Sequence, residues 1–243
     1  MNSLVWRVEH VTEVDSTNDA VVERARAGEA EGLVLVADHQ SRGRGRLGRT
    51  WDAPPGSALL CSLLLRPALD DDQAQWAVGA VALSARAALA RFGLACEIKW
   101  PNDLLVDDAK IAGILAELVT APSRGVVVGL GLNLSDSPPD VGATHLTRHL
   151  DTAPSARELL DVALEELSAR RDWLDSSDGL ARLAAQYREA LATIGQRVVV
   201  HQREGSWTGT ARDVDDMGRL IVDGADCVRV VAAGDVVHLR ADR

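Results

Sequence analysis

Four arginines and three glycines lie within residues 42–49 of a chain whose formal net charge is -10. They belong to the segment SRGRGRLGRTW at residues 41–51. Glycines let a ligand approach the backbone closely, and each guanidinium group offers a planar fork of donors that suits carboxylate and phosphate oxygens. The segment therefore predicts a local binding site for an anionic ligand.

Two familiar phosphate-binding motifs nearly fit this segment. Gly43, Gly45 and Gly48 have the spacing of a dinucleotide-binding loop, and residues 43–50 read as a P-loop with arginine in place of lysine. Both motifs place phosphate at the N-terminus of a helix that begins directly after the loop, whereas the sequence continues as WDAPPG. We therefore expect neither. An RNA-binding patch, which lacks interleaved aromatic residues here, and a solvated basic loop without a ligand stay open.

Three further motifs accompany this segment along the chain. They are DSTN at residues 15–18, KWPND at residues 99–103 and KIAGIL at residues 110–115. Together with HQSRGRGRLGRTW at residues 39–51, they closely resemble the bacterial biotin protein ligases, and the resemblance covers essentially the whole chain. Motifs that occur at separate places in the right order are more specific than any one of them alone.

The resemblance implies both a fold and a reaction. The expected fold is α+β, with a mixed-sheet catalytic domain similar to class II synthetases at residues 1–194 and a small SH3-like β-barrel at residues 195–243. The expected enzyme forms biotinyl-5′-AMP from biotin and ATP with Mg²⁺. It then transfers biotin to a lysine of a biotin carboxyl carrier domain of an acyl-CoA carboxylase. The alternatives are a lipoate or octanoate protein ligase and a non-enzymatic biotin-sensing module.

The resemblance also assigns roles to residues of this chain. Lys110, assisted by Arg44 and Arg46, is the expected catalytic group between the biotin carboxylate and the α-phosphate, and Asp103 is the expected Mg²⁺ ligand, with Asn102 nearby. The residues expected to bind biotin are Ser16, Thr17, Asn18, Gln40, Arg44, Gly45, Arg46, Trp51, Lys110, Gly113 and Gly131. The residues expected to bind ATP are Arg46, Arg49, Lys99, Asn102, Asp103, Lys110 and Asn133.

Some of these residues also have simpler interpretations that the sequence leaves open. Ser16 and Asn18 could merely cap a helix, and Gly131 could serve a bulge or tight packing rather than a flat ligand. We expect no serine, cysteine or histidine nucleophile, and we interpret His39 and Ser41 as polar loop residues.

Composition restricts the class of protein. With 243 residues, of which 47% are hydrophobic, the chain can form one substantial domain and a small one. Its acidity disfavours nonspecific binding to nucleic acid or anionic membranes. The three cysteines lack metal-site spacing, which favours a reducing cytoplasm, and we see no signal or membrane segment. Because fewer than twenty residues precede Ser16, we also expect a single-function ligase without an N-terminal DNA-binding domain.

The remaining pattern predicts the elements that must position these residues. Strands are expected at residues 4–14, 33–37, 57–65, 96–98, 104–106, 111–119 and 126–133, and helices at residues 19–27, 73–92, 155–174 and 177–192. Short valine-rich strands separated by turns, one of them at residues 203–205, follow from residue 196.

Overall fold

The computed structural model describes residues 4–138, 142–202, 205–232 and 234–239. The larger sheet contains β1 (Arg7–Val14), β2 (Leu33–Gln40), β3 (Ala58–Leu65), β4 (Glu97–Lys99), β5 (Asp103–Val106), β6 (Ala109–Val119) and β7 (Gly125–Asn133). Their order is β1-β2-β3-β7-β6-β5-β4. The pair β1 and β2 is parallel and the other neighbours are antiparallel, so the predicted mixed sheet is confirmed.

Different helices pack against the two faces of this sheet. Helices α2 (Gln75–Arg91), α3 (Ala156–Arg171) and α4 (Ser177–Ala190) belong to the main core on one face, where alternate β7 residues such as Val128 and Leu130 are buried. Helix α1 (Thr17–Arg26) packs on the other face against a smaller apolar cluster. Because side chains alternate along a strand, this second face receives Gly129, Gly131 and Asn133 of β7.

Serine side chains fix where several helices begin. The Ser16 hydroxyl accepts from the backbone N–H of Asp19 at the start of α1, and Ser155 forms a capping box with Glu158 at the start of α3. Helix α4 is capped by Ser176, whose hydroxyl accepts from the backbone N–H of Gly179. No described helix is long and apolar enough to cross a membrane.

The C-terminal part of the chain forms a small antiparallel sheet. Its strands are β8 (Arg197–Gln202), β9 (Gly205–Val214), β10 (Leu220–Gly224), β11 (Val228–Val231) and β12 (Asp235–His238), in the order β11-β10-β9-β8-β12. This sheet confirms the predicted SH3-like unit, although residues 203–204 of one predicted turn lie outside the described residues. The predicted domain boundary at residue 194 lies in the connection between the end of α4 and the start of β8. Its exact position stays a prediction.

Two buried indole groups attach the small sheet to the larger domain. Trp76 Nε1 donates to the carbonyl oxygen of Asp216 at 2.8 Å, and Trp100 Nε1 donates to that of Gly218 at 2.9 Å. Both acceptors belong to the turn between β9 and β10. The turn therefore holds the small sheet beside the strand β4, whose last residue, Lys99, directly precedes Trp100.

Candidate active site

A cleft of 1460 Å³ lies on the α1 face of the larger sheet and extends to β12 of the small sheet. Every residue that the sequence analysis assigned to a site lines this cleft. They are Ser16, Thr17, Asn18, Gln40, Arg44, Gly45, Arg46, Arg49, Trp51, Lys99, Asn102, Asp103, Lys110, Gly113, Gly131 and Asn133. The structure thus brings four separate motifs to one place, while their individual roles stay predictions.

Glycines form the floor of the cleft. Gly113 of β6 and Gly131 of β7 are cross-strand partners, and the ring of Trp51 lies over both. A Cβ atom at Gly131 would lie 2.6 Å from Trp51 Cε2, and one at Gly113 would lie 2.9 Å from Cζ3. The register between these strands is uninterrupted. Close approach of a ring, and not a bulge, therefore accounts for these two glycines.

The arginine segment forms a tight hairpin in the structure. Gly45 N–H donates to the carbonyl oxygen of Arg49 at 2.7 Å, and Trp51 N–H donates to that of Gly43 at 3.0 Å. A Cβ atom at Gly43 would lie 2.2 Å from the Trp51 carbonyl oxygen, and Gly48 has a φ of +74°. Glycine is therefore required at both positions. No helix follows the loop in the described chain before a further strand, as expected from its prolines.

Arg44, at the start of the hairpin, is paired with two carboxylates. Its Nη2 lies 2.5 Å from Asp19 Oδ1 of α1 and also donates to Glu117 Oε1 of β6. Because both carboxylates offset the charge of the guanidinium group, Arg44 ties the hairpin to the sheet and to α1. This geometry gives Arg44 a positioning task beside the catalytic one that the resemblance implies.

Arg46 and Arg49, further along the hairpin, contact other parts of the cleft. Arg46 donates to Asn102 Oδ1 and to the carbonyl oxygen of Gly234, both at 3.2 Å. Its burial lowers the pKa of the guanidinium group, and the charges of nearby carboxylates oppose that effect. Arg49 forms an ion pair with Asp235 of β12. The hairpin is therefore attached to the small sheet at two points.

The cleft has a polar end beside the N-terminus of α1. The backbone N–H and the hydroxyl group of Thr17 donate to Gln40 Oε1 at 2.8 and 3.0 Å. The Ser62 hydroxyl lies 2.6 Å from Asn18 Oδ1, and Asn18 Nδ2 donates to the Leu115 carbonyl oxygen at 3.2 Å. Ser16 caps α1, whereas Asn18 does not. The nitrogen Nε2 of Gln40 has no hydrogen-bond partner among the described residues, so it is available to donate a hydrogen bond to a ligand in the cleft.

Lys110 lies at the other end of the glycine floor. Its Nζ is 2.6 Å from Asp103 Oδ1 and 5.5 Å from the centre of the Trp51 ring. Apart from this ion pair, Asp103 Oδ1 is buried and accepts no hydrogen bond from the described residues. The backbone of Lys110 also bonds to residues 142 and 144, so this segment runs beside the start of β6. The side chain of Asn133 supports the same segment by donating to the Thr144 carbonyl oxygen at 2.9 Å.

Strand β12 contributes residues to the cleft that the sequence analysis did not identify. Asp235 and His238 both line the cleft. Burial alone would raise the pKa of the Asp235 carboxyl group, but the hydrogen bond and charge of Arg49 bring it below its usual value. Burial lowers the pKa of His238, and the charge of Lys99 lowers it further. No spacing signal marks these residues, because their approach depends on how the two sheets pack.

The remaining cysteine and histidine side chains near the cleft are buried or hydrogen-bonded within the described structure. Cys61 also lines the cleft, but burial raises the pKa of its thiol to about 12, so it stays protonated and unreactive. His145 and His149 bond to Ser137 and Thr144, respectively, at 3.2 and 2.7 Å. No group of three or more histidine, cysteine or acidic residues suited to a metal ion occurs among the described residues. The placement of His39 in a loop was wrong, since it belongs to β2.

Comparisons with known proteins agree with this geometry. Residues 11–133 match the model of the biotin/lipoate A/B protein ligase family, and residues 193–239 match that of the biotin protein ligase C-terminal domain. The chain is 40% identical to the biotin--[acetyl-CoA-carboxylase] ligase of Mycobacterium tuberculosis, over 97% of this chain and 90% of that protein. It is 32% identical to the ligase of the same name from Paracoccus denitrificans, over 91% of this chain and 96% of that protein.

Solved structures give the same result for the fold. The biotin protein ligase of Aquifex aeolicus in complex with biotin and ATP superimposes with a TM-score of 0.82 at 25% sequence identity. That match covers 97% of this chain and 99% of the other. Both sheets described above are therefore included in the likeness.

Proposed function

This chain belongs to the biotin protein ligase family, and we propose that it uses ATP to activate biotin and then transfers the biotinyl group to a lysine of an acceptor protein. Two of its relatives are named biotin--[acetyl-CoA-carboxylase] ligase, and one similar solved structure is a biotin protein ligase in complex with biotin and ATP. The observation that supports this function most strongly is that residues of all four motifs line the same cleft. Within it, a polar end, a flat glycine floor and a cationic end follow one another.

The polar end and the floor suit the bicyclic part of biotin. Gln40 Nε2 can donate to the ureido carbonyl group, while Oε1 is already used by Thr17. The flat floor of Gly113 and Gly131 faces the Trp51 ring, so a ligand that enters there is held between backbone and an aromatic wall. A linear acyl chain does not require this polar set, which favours biotin over lipoate or octanoate.

The first chemical step joins two anions. A carboxylate oxygen of biotin attacks the α-phosphorus of ATP, the bond to the bridging oxygen breaks, and pyrophosphate leaves with the electron pair. Lys110 can contact both the carboxylate and the α-phosphate, and Arg46 adds a second cation from the hairpin. Their charges offset the repulsion and stabilise the negative charge that develops during displacement.

The second step consumes the mixed anhydride. The amine of the acceptor lysine attacks the carbonyl carbon, AMP leaves with the electron pair, and the amine loses a proton to form the amide. The hairpin that carries Arg44, Arg46 and Trp51 covers the activated carboxyl group and slows its hydrolysis. The names of the two ligases from Mycobacterium tuberculosis and Paracoccus denitrificans give acetyl-CoA carboxylase as their acceptor. For this chain we propose a biotin carboxyl carrier domain of such a carboxylase.

The residues at the cationic end also fit a magnesium ion. Mg²⁺ is usually held by one or two carboxylates together with substrate phosphates and water. Asp103 would hold the ion, because its buried Oδ1 has the ammonium group of Lys110 beside it and no hydrogen-bond partner among the described residues. Asn102 Oδ1, in contrast, already accepts from Arg46. The ion would neutralise phosphate charge when bound.

Exchange of labelled pyrophosphate into ATP tests the first step directly. We expect exchange with biotin and Mg²⁺ but not in parallel reactions with lipoate or octanoate. Exchange that depends on lipoate or octanoate would assign the protein to another branch of the family. Absence of exchange with every acid, despite measurable biotin binding, would instead favour a sensing module. Omitting Mg²⁺ in the same assay tests whether the reaction needs the ion.

A further inference from the structure

Glu117 lies on the strand that carries Gly113, beyond the residues that line the cleft, and no sequence motif identifies it. It belongs to β6 and pairs across the sheet with Val127 of β7. Because side chains alternate along a strand, Gly113, Leu115 and Glu117 project from the same face. The Glu117 side chain is 31% exposed, so it is partly buried.

One carboxylate oxygen of Glu117 accepts from two separate parts of the site. Asn18 Nδ2, at the polar end of the cleft, donates to Glu117 Oε1 at 3.0 Å. Nη2 of Arg44, at the start of the hairpin, donates to the same oxygen. The carboxylate therefore links the pocket wall to the loop that covers the pocket.

Both partners of Glu117 transmit its position to groups that face the ligand. Asn18 Oδ1 lies so close to Gly129 that a Cβ atom there would be only 2.2 Å away, so this amide stands directly on the floor. Arg44 pairs with Thr50 across the hairpin, which places Trp51. A shift of Glu117 would therefore move both the Asn18 side of the cleft and the Trp51 ring that lies over its floor.

We propose that Glu117 is a positioning residue of the ligase reaction, because it holds Asn18 and Arg44 on one carboxylate oxygen and so fixes the pocket wall and the covering loop together. The inference rests on the proposed function. Glu117 acts through its two neighbours and does not contact a substrate. Its loss should therefore weaken biotin binding and retention of the adenylate more than it slows adenylate formation.

Glu117→Gln keeps an acceptor oxygen at this position but removes its negative charge. The amide oxygen of glutamine can still accept from Asn18, whereas the neutral side chain loses the charged hydrogen bond with Arg44. Asp19→Asn is the matched control, since Asp19 is the other carboxylate at Arg44 and its side chain makes no hydrogen bond to Asn18 in the described structure. Pyrophosphate exchange gives the KM for biotin and kcat, and hydroxylamine trapping outside the enzyme gives the rate of adenylate release.

For Glu117→Gln we expect the KM for biotin and the rate of adenylate release each to rise about tenfold, with kcat changed less than about threefold. Asp19→Asn should change each quantity less, by about twofold, because the Asp19 side chain is 54% exposed and solvent screens its pair with Arg44. Glu117→Ala, which loses both contacts, should raise the KM further. If Glu117→Gln matches the wild type in both KM and adenylate release, the proposal is wrong.

A double variant with Arg44→Gln provides an independent test. If the two residues act as one link, Glu117→Gln combined with Arg44→Gln will be no worse than the more severe single variant. Additive effects would refute the link. Circular dichroism checks folding, and Glu117→Gln, whose side chain has nearly the same size as the native one, keeps the test valid if Glu117→Ala does not fold. A wild-type protein without biotin-dependent exchange would contradict the proposed function instead.

Discussion

Gly131→Ala is the change that most directly tests how the floor of the cleft works. The new Cβ atom would lie 2.6 Å from Trp51 Cε2 and 2.8 Å from Cζ2. Carbon atoms in ordinary contact are about 3.5 Å apart or more, so the indole ring must move by about 1 Å. The atoms that must give way belong to a side chain at the end of a hairpin and not to the packed core.

The expected effects on stability and on activity are therefore different. Overpacking at such a site costs about 1–3 kcal/mol, which corresponds to a fall in melting temperature of roughly 2–10 °C. A displacement of about 1 Å in a group that positions the substrate costs about 10²-fold in rate. We expect kcat/KM for biotin in pyrophosphate exchange to fall about hundredfold while the protein stays folded.

Two further variants show whether the Trp51 ring is the cause. A Cβ atom at Gly113 would meet Trp51 Cζ3 at 2.9 Å and Lys110 Nζ at 3.0 Å, and the lysine end is flexible. Gly113→Ala should therefore cost only about tenfold. In a Trp51→Ala background, Gly131→Ala should have little further effect. An equal loss in both backgrounds, or full activity of Gly131→Ala itself, would refute the reasoning.

Other side chains of the cleft give separate predictions. Lys110→Met should lower biotin-dependent exchange by about 10²–10³-fold with an unchanged circular dichroism spectrum, and exchange near the wild-type rate would remove Lys110 from the first step. Arg46→Gly should leave the fold intact but release biotinyl-AMP, seen as biotin on lysines of an added bystander protein; retention of the adenylate would contradict this. Asp235→Asn should lower the melting temperature by about 2 °C at pH 7, because the pair with Arg49 is complete above about pH 4 and is lost as the pH falls through the lowered pKa of Asp235. That difference should therefore shrink below pH 4, and a constant difference would show that the ion pair is not its source.

Local signals in the sequence were sufficient for most of the fold. Hydrophobic alternation and capping residues located the strands and helices to within a few residues, as for α2, which was expected at residues 73–92 and observed at Gln75–Arg91. The end of β2 was missed, because Asp38, His39 and Gln40 are polar and resemble a loop. The parallel pairing of β1 with β2 carries no local signal, since it depends on the crossover through α1.

Site residues that belong to a distinctive sequence motif could be predicted. Site residues that reach the cleft only through long-range packing could not. Lys110, Asp103 and the arginine hairpin have distinctive residue types at distinctive spacings. Glu117 is an ordinary acidic residue in a strand, and its contact with Asn18 joins positions 99 residues apart. Asp235 reaches Arg49 only because the small sheet packs beside the cleft.

Trp51, whose ring lies over the floor of the cleft, gives the protein an intrinsic fluorescent probe of this site. The indole N–H groups of Trp6, Trp76, Trp100 and Trp207 have hydrogen-bond acceptors, whereas Trp51 Nε1 is buried without one among the described residues. Indole emission depends on the polarity and hydrogen bonding around the ring. A ligand that enters the slot beside Trp51 would thus alter the fluorescence of this one chromophore. Occupancy of the cleft could then be followed in real time without a label, and Trp51→Phe would supply the silent reference.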